Sequence, residues 1–95
     1  QIPLTPDGEL RDEASVTEQT ELALSNLKAV LAEAGAEPTD VLKTTVFLAD
    51  IDDFDEMNAA YADFFDSEPP ARSAVQAGAL PKGVAVEIEA VASIE

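Results

Sequence analysis

A chain of 95 residues with no cysteine and no histidine has room for one small domain, without disulfides, thiolate or imidazole metal sites, or Ser-His and Cys-His relays. Twenty acidic residues against five basic ones give a net charge of −15, a surface that repels a phosphate backbone and argues against nucleic acid as a partner. No apolar run approaches the ~20 residues of a membrane span and no basic n-region with an apolar core is visible, so no membrane role is expected and any chemistry must use carboxylates, arginine, lysine, hydroxyls, amides and water.

Gln1 to Leu4 reads as the end of a strand, broken at Pro6-Asp7-Gly8, where Gly supplies positive φ. Ser15 followed by Glu18 resembles a capping box and predicts the start of a long helix. Ala23, Leu27, Val30, Leu31 and Ala34 recur at helical spacing as its buried face, and Gly35 closes it as a C′ residue. Val41 to Leu48, rich in β-branched and apolar residues, predicts a strand buried on at least one face. Asp50 and Asp52 are candidate N-caps for a second helix, whose stripe of Phe54, Met57, Tyr61, Phe64 and Phe65 reads as core. Pro69-Pro70 ends that helix and forces extension. Arg72 to Ala77 is then a short strand, Pro81-Lys82-Gly83 a turn, and Val84 to Ile94 a long final strand. There Val84, Val86, Ile88, Ala90 and Ala92 share one face, with Glu87 and Glu89 on the other. The order β-α-β-α-β-β predicts one α/β (α+β) domain, with two helices on one face of a mixed four-stranded sheet. The other face carries Arg72, Glu87 and Glu89 with small residues, and is expected to meet a partner subunit.

Arg72 is one of two arginines, and it begins a strand between the small residues Ala71 and Ser73. Its planar fork suits bidentate capture of a carboxylate, although residue type and position alone favour an ion pair with one of the many acids. Glu87, in the middle of an apolar strand, could act through water as a general base. On spacing, Glu89 serves as well, and either could be a solvated strand residue. Asn58 could hydrogen-bond a ligand or simply be an exposed polar residue of a helix. Lys82-Gly83 lacks the Gly-rich strand-to-helix turn of a phosphate-binding loop. Asp50, Asp52, Asp53 and Asp55 lack the central Gly and terminal Glu of an EF-hand, and helix capping explains them more cheaply.

The stretch Pro70-Ala71-Arg72-Ser73-Ala74-Val75-Gln76-Ala77-Gly78-Ala79-Leu80, followed by Val86-Glu87-Ile88-Glu89-Ala90, resembles the signature of the RidA/YjgF (reactive intermediate deaminase) family. Separated blocks agree in order and spacing: Gln1-Ile2-Pro3, Leu24-Ser25-Asn26-Leu27-Lys28, Val41 to Leu48, Asp53-Phe54, and Asn58-Ala59-Ala60-Tyr61 with Phe64-Phe65. The likeness covers the whole chain. It implies a chorismate-mutase-like fold and a homotrimer with ligand clefts between subunits. It also implies hydrolysis of reactive 2-imino acids to 2-keto acids and ammonia without a cofactor.

In that scheme Arg72 matches the arginine that grips the substrate carboxylate. Glu87, rather than Glu89, matches the glutamate that orients the attacking water, and Asn58 matches a residue lining the cleft. A protonated imine carbon is already electrophilic, so positioning substrate and water suffices, and the lack of His, Cys or metal is no obstacle. The chain departs from the family at Ala74, a cleft-wall position in contact with substrate where many members carry Cys. A second departure is the absence of a β-hairpin, with a ligand-contacting Tyr and a Ser-Gly, immediately before Gln1. The chain opens on Gln1 rather than Met, and the expectation is that the natural protein extends upstream with such a strand. The acidic charge speaks to habitat. Few lysines beside many carboxylates suggest a high-salt cytoplasm, where self-repulsion is screened over a few ångströms.

Overall fold

A computed structural model describes residues 1–66 and 69–94. Ser15 is extended, with φ −61° and ψ 159°, and its Oγ accepts a hydrogen bond from the Glu18 N–H at 3.1 Å. That satisfies one orphan donor and starts helix α1, Val16–Glu33. Ala23, Leu24, Leu27 and Leu31 are buried, a repeat of three and four residues that makes one helical face. Val30, expected on that face, is 51% exposed, and Ala34 is an exposed C-cap. Leu24 takes the buried place instead, because the face in contact with the sheet runs through Gln19, Thr20, Ala23, Leu27 and Leu31. The helix ends as expected at Gly35, whose φ of 79° only glycine adopts freely. The Gly35 N–H donates to Ala32 O and the Ala36 N–H to Leu31 O, which is a Schellman closure with Leu31 and Ala36 both buried.

Strand β1, Val41–Leu48, is central, and Thr44, Val46 and Leu48 turn toward the helices. Asp50 Oδ1 accepts from the Asp52 N–H at 2.9 Å. This caps a short 3-10 turn, Ile51–Asp53, rather than the second helix, and Asp52 caps nothing because it lies inside the turn. Helix α2, Phe54–Phe64, follows. Met57, Ala60, Tyr61 and Phe65 are buried, and Phe54 and Phe64 are half-buried against the core. Strand β2, Ala71–Gln76, runs parallel to β1 along one edge.

Strand β3, Val86–Ala92, runs antiparallel on the other side of β1. It is shorter than the expected Val84 to Ile94. Val84 is buried but belongs to the exit of the Pro81–Gly83 turn, where Lys82 and Gly83 both have positive φ.

Among the described residues the sheet is therefore three-stranded, order β2-β1-β3, and not four-stranded. Gln1 exchanges two backbone bonds with Ile88, at 2.6 and 2.9 Å. The pairing goes no further because Pro3 has no N–H to continue a ladder. The chain instead folds back around the Thr5–Gly8 turn to bridge Leu4 with Leu10. Both helices lie on one sheet face, as expected. The other face carries Lys43, Thr45 and Phe47 of β1, Val75 of β2, and Glu87, Glu89 and Val91 of β3. Among the described residues no helix is long and apolar enough to cross a membrane.

Candidate functional site

Pro69 and Pro70 hold the chain extended as it enters β2, and Arg72 is the second residue of that strand. Its register partner is Thr44, and Ala74 is level with Val46. Both strands thus turn the same parity toward the helices, and Arg72 lies on the helix side of the sheet. The expectation that it shares the uncovered face with Glu87 and Glu89 is overturned by this register. Because β2 is an edge strand, the side chain reaches the rim over α2 instead of entering the core.

There the guanidinium carbon lies 4.7 Å from the centroid of the Tyr61 ring and 5.2 Å from that of Phe54. Both distances are within cation–π range. Arg72 Nη1 donates to Asn58 Oδ1, one turn of α2 before Tyr61. Tyr61 is in turn tied through its hydroxyl to Thr44 Oγ1 at 2.6 Å, and both residues are buried.

An open groove of about 510 Å3 runs past this assembly, lined among others by Ala62, Phe65, Pro69 and Pro70. Among the described residues no carboxylate lies within ion-pair distance of Arg72; the ion pair found joins Arg11 to Glu9 at 3.8 Å. Among the described residues one of the five guanidinium N–H groups is engaged, which leaves a fork for a planar anion.

The expected site residues divide into two groups. Arg72 and Asn58 are in contact, and Ala74 follows on the same side of β2, half-buried. Glu87 is half-buried beside Phe47 on the uncovered face. Strands β2 and β3 are about 10 Å apart across β1, and the three-residue offset between Thr44 and Phe47 adds about 10 Å along the strands. Within one chain, Glu87 does not meet Arg72. Sequence reasoning missed Phe54, Tyr61 and Thr44, assigning the rings to core alone. A buried Tyr in a stripe otherwise filled by Phe and Met, opposite a Thr in an apolar strand, was the available signal, since a buried phenol needs a partner.

The aspartates at the start of α2 form no metal centre: among the described residues no three potential ligands converge. Burial, then the neighbouring Asp50, Glu56 and Asp52, raise the Asp53 carboxyl above its ordinary value.

A family model described as Endoribonuclease L-PSP matches residues 1–94. The human 2-iminobutanoate/2-iminopropanoate deaminase is 47% identical over 92 residues, spanning 97% of this chain and 67% of that protein. Among solved structures, the YjgF gene product of E. coli is similar with a TM-score of 0.90 and 45% identity, over 97% of this chain and 74% of that one. E. coli TdcF with bound serine has a TM-score of 0.93 and 43% identity, over 100% and 76%.

Proposed function

The chain belongs to the Endoribonuclease L-PSP family, that of RidA and YjgF with its chorismate-mutase-like fold, and from that premise we propose that it hydrolyses reactive 2-imino acids to 2-keto acids and ammonia. The observation that carries this reading is the Arg72 guanidinium, held by Asn58 and two aromatic rings with N–H groups left over at a groove. Such a fork takes the substrate carboxylate in two parallel charge-assisted bonds. The human relative's name supports the substrate class, and serine bound to TdcF supports a small amino-acid-like ligand.

In the proposed reaction the imine nitrogen is protonated, which makes its carbon electrophilic. Glu87 holds a water and takes its proton as the oxygen adds to that carbon. Glu87 returns that proton to the carbinolamine nitrogen; the C–N bond then breaks to release ammonia as the hydroxyl gives up its proton to water, leaving the ketone. Asn58 fixes Arg72, and Ala74 keeps the adjoining wall small. No cofactor enters this scheme.

Arg72 and Glu87 lie on opposite sheet faces of one chain, so they serve one centre only when Arg72 of one subunit meets Glu87 of another. A homotrimer with clefts between subunits is therefore part of the proposal. The test generates the imine with an amino-acid oxidase and follows its decay. Arg72→Ala and Glu87→Gln homo-oligomers should each lose at least about a hundredfold in rate. Unfolding and reassembling them together in equal amounts should restore about a quarter of the wild-type rate, the share of interfaces that random assortment supplies with both native side chains. No recovery on mixing would refute the shared centre, and full activity of Arg72→Ala would refute its role.

A second reading, a small-carboxylate sensor without turnover, is favoured by one observation: the anion-binding half lies within one chain whereas Glu87 is remote from it. Calorimetry with 2-oxobutanoate beside the imine assay separates the two, since binding without turnover supports the sensor.

A further inference from the structure

Arg72 is exposed at a sheet edge, and a four-bond side chain there ordinarily samples many rotamers. Its guanidinium is nevertheless held close to two rings, Tyr61 and Phe54, and by a hydrogen bond to Asn58. We infer that Tyr61, anchored by Thr44, is the positioning residue that sets the plane and direction of the Arg72 guanidinium. This inference rests on the carboxylate-binding reading above.

Thr44, Tyr61 and Arg72 form a closed circuit of contacts. Thr44 and Arg72 are register partners on adjacent strands. Tyr61, from the helix above, bonds Thr44 with its hydroxyl at 2.6 Å and meets Arg72 with its ring at 4.7 Å. The hydroxyl is the part that core packing does not explain. Phe65, one turn later, packs on Tyr61 with centroids 4.9 Å apart and fills the same core without any hydroxyl. Fixing the phenol oxygen stops the ring from tilting, and the ring face then fixes the cation above it. Phe54, at 5.2 Å, limits the guanidinium from a second ring. The consequence is a fork ordered before the ligand arrives, which lowers the entropic cost of binding an anion of fixed geometry.

Ordering the fork acts on the substrate and the transition state alike, so its loss raises KM and leaves kcat nearly unchanged. For Tyr61→Leu we expect KM for the imine, and Kd for 2-oxobutanoate by calorimetry, to rise about tenfold with kcat within about twofold. Tyr61→Phe and Thr44→Val should each raise both about threefold, and the double variant should be no worse than either single one. NMR gives a readout independent of activity. The Arg72 side-chain Nε–H resonance should be displaced upfield by the ring current and move toward the free-arginine position in Tyr61→Leu. It should move part of the way in Tyr61→Phe and Thr44→Val, the arms that remain informative if Tyr61→Leu does not fold.

A lowered Tm with KM, Kd and the resonance unmoved would make Tyr61 a core residue only and overturn the inference. If the wild-type protein neither turns over imines nor binds 2-oxobutanoate, the functional proposal falls. The resonance alone then decides the positioning role: displacement lost in the variants supports it, and no displacement refutes it.

Discussion

Asp53 stands among Asp50, Asp52 and Glu56 at the start of α2, and burial and these neighbours raise its carboxyl above the ordinary value of 3.8. A carboxyl whose pKa is higher folded than unfolded binds its proton more tightly in the folded state. The stabilisation is complete below the unfolded pKa and is lost as pH rises through the folded one. At neutral pH the ionised side chain therefore works against folding, and it makes no capping bond in return. Asp53→Asn should raise the denaturant midpoint at pH 7. The gain should shrink as pH falls through the raised pKa, and also in molar salt. Equal midpoints for the two proteins at pH 7 in low salt would contradict this. The same surplus of carboxylate makes Arg72 the more informative residue, because in a chain of net charge −15 no described acid reaches it. A cation that pairs with no acid among the described residues fits the proposed external anion.

At the scale of elements, Gln19 joins parts of the chain that local structure leaves separate. It is 2% exposed in the first turns of α1. Its Nε2 donates to Asp12 O at 3.2 Å and Ala14 O at 2.9 Å, and its Oε1 accepts from the Ala85 N–H at 2.8 Å. One amide thereby satisfies the loop before α1 and the approach to β3. Gln19→Leu keeps the volume but strips three backbone groups of their partner, and should cost about 3 kcal/mol in a urea melt. A loss below about 0.5 kcal/mol would show that water replaces the amide. Glu56 performs a similar join between helices: its Oε2 accepts from both the N–H and the Oγ1 of Thr17, each at 3.1 Å. Asn26 fastens the opening segment by donating to Ile2 O and Leu4 O, each at 2.9 Å. Polar side chains thus stitch the ends of the elements, while the apolar cluster between sheet and helices holds their middles.

For the whole molecule, one sheet face lies under the helices and the other is open. The open face presents Val75 at 44% and Val91 at 51% exposure together with Glu87, Glu89 and Lys43. We propose a second copy as the cover, in the homotrimer that would also bring Glu87 of one subunit to Arg72 of another. Each subunit carries −15, so assembly brings like charges together and should depend on screening. Sedimentation in about 2 M KCl should give a trimer, and dilution into low salt should shift it toward smaller species. A monomer at high salt would contradict the proposed assembly, and a trimer indifferent to salt would contradict the proposed suitability for high salt.

Several features were legible in the residues because their causes are local. Ser15 starts α1 and Gly35 ends it through one hydroxyl and one positive φ. The two prolines before β2 enforce extension, and Val41 to Leu48 is a strand to the residue. The separated motif blocks identified the family, since chemistry retained in a lineage is written in residue identity. Other features were decided only by elements meeting in space. Whether Leu24 or Val30 is buried depends on which way α1 is rolled against the sheet. Where β3 ends depends on where its partner strand ends. Of the expected fourth strand the described residues include the exchange between Gln1 and Ile88, with Pro3 ending the ladder on its downstream side. The site shows the division most clearly. Arg72, Asn58, Glu87 and Ala74 could be put forward as candidates from the family resemblance, but alternation along a strand says only that neighbouring residues face opposite ways. Which way Arg72 faces follows from its pairing with Thr44, a contact between residues 28 apart in the chain, and that register placed Arg72 over Tyr61 on one side of the sheet and Glu87 on the other.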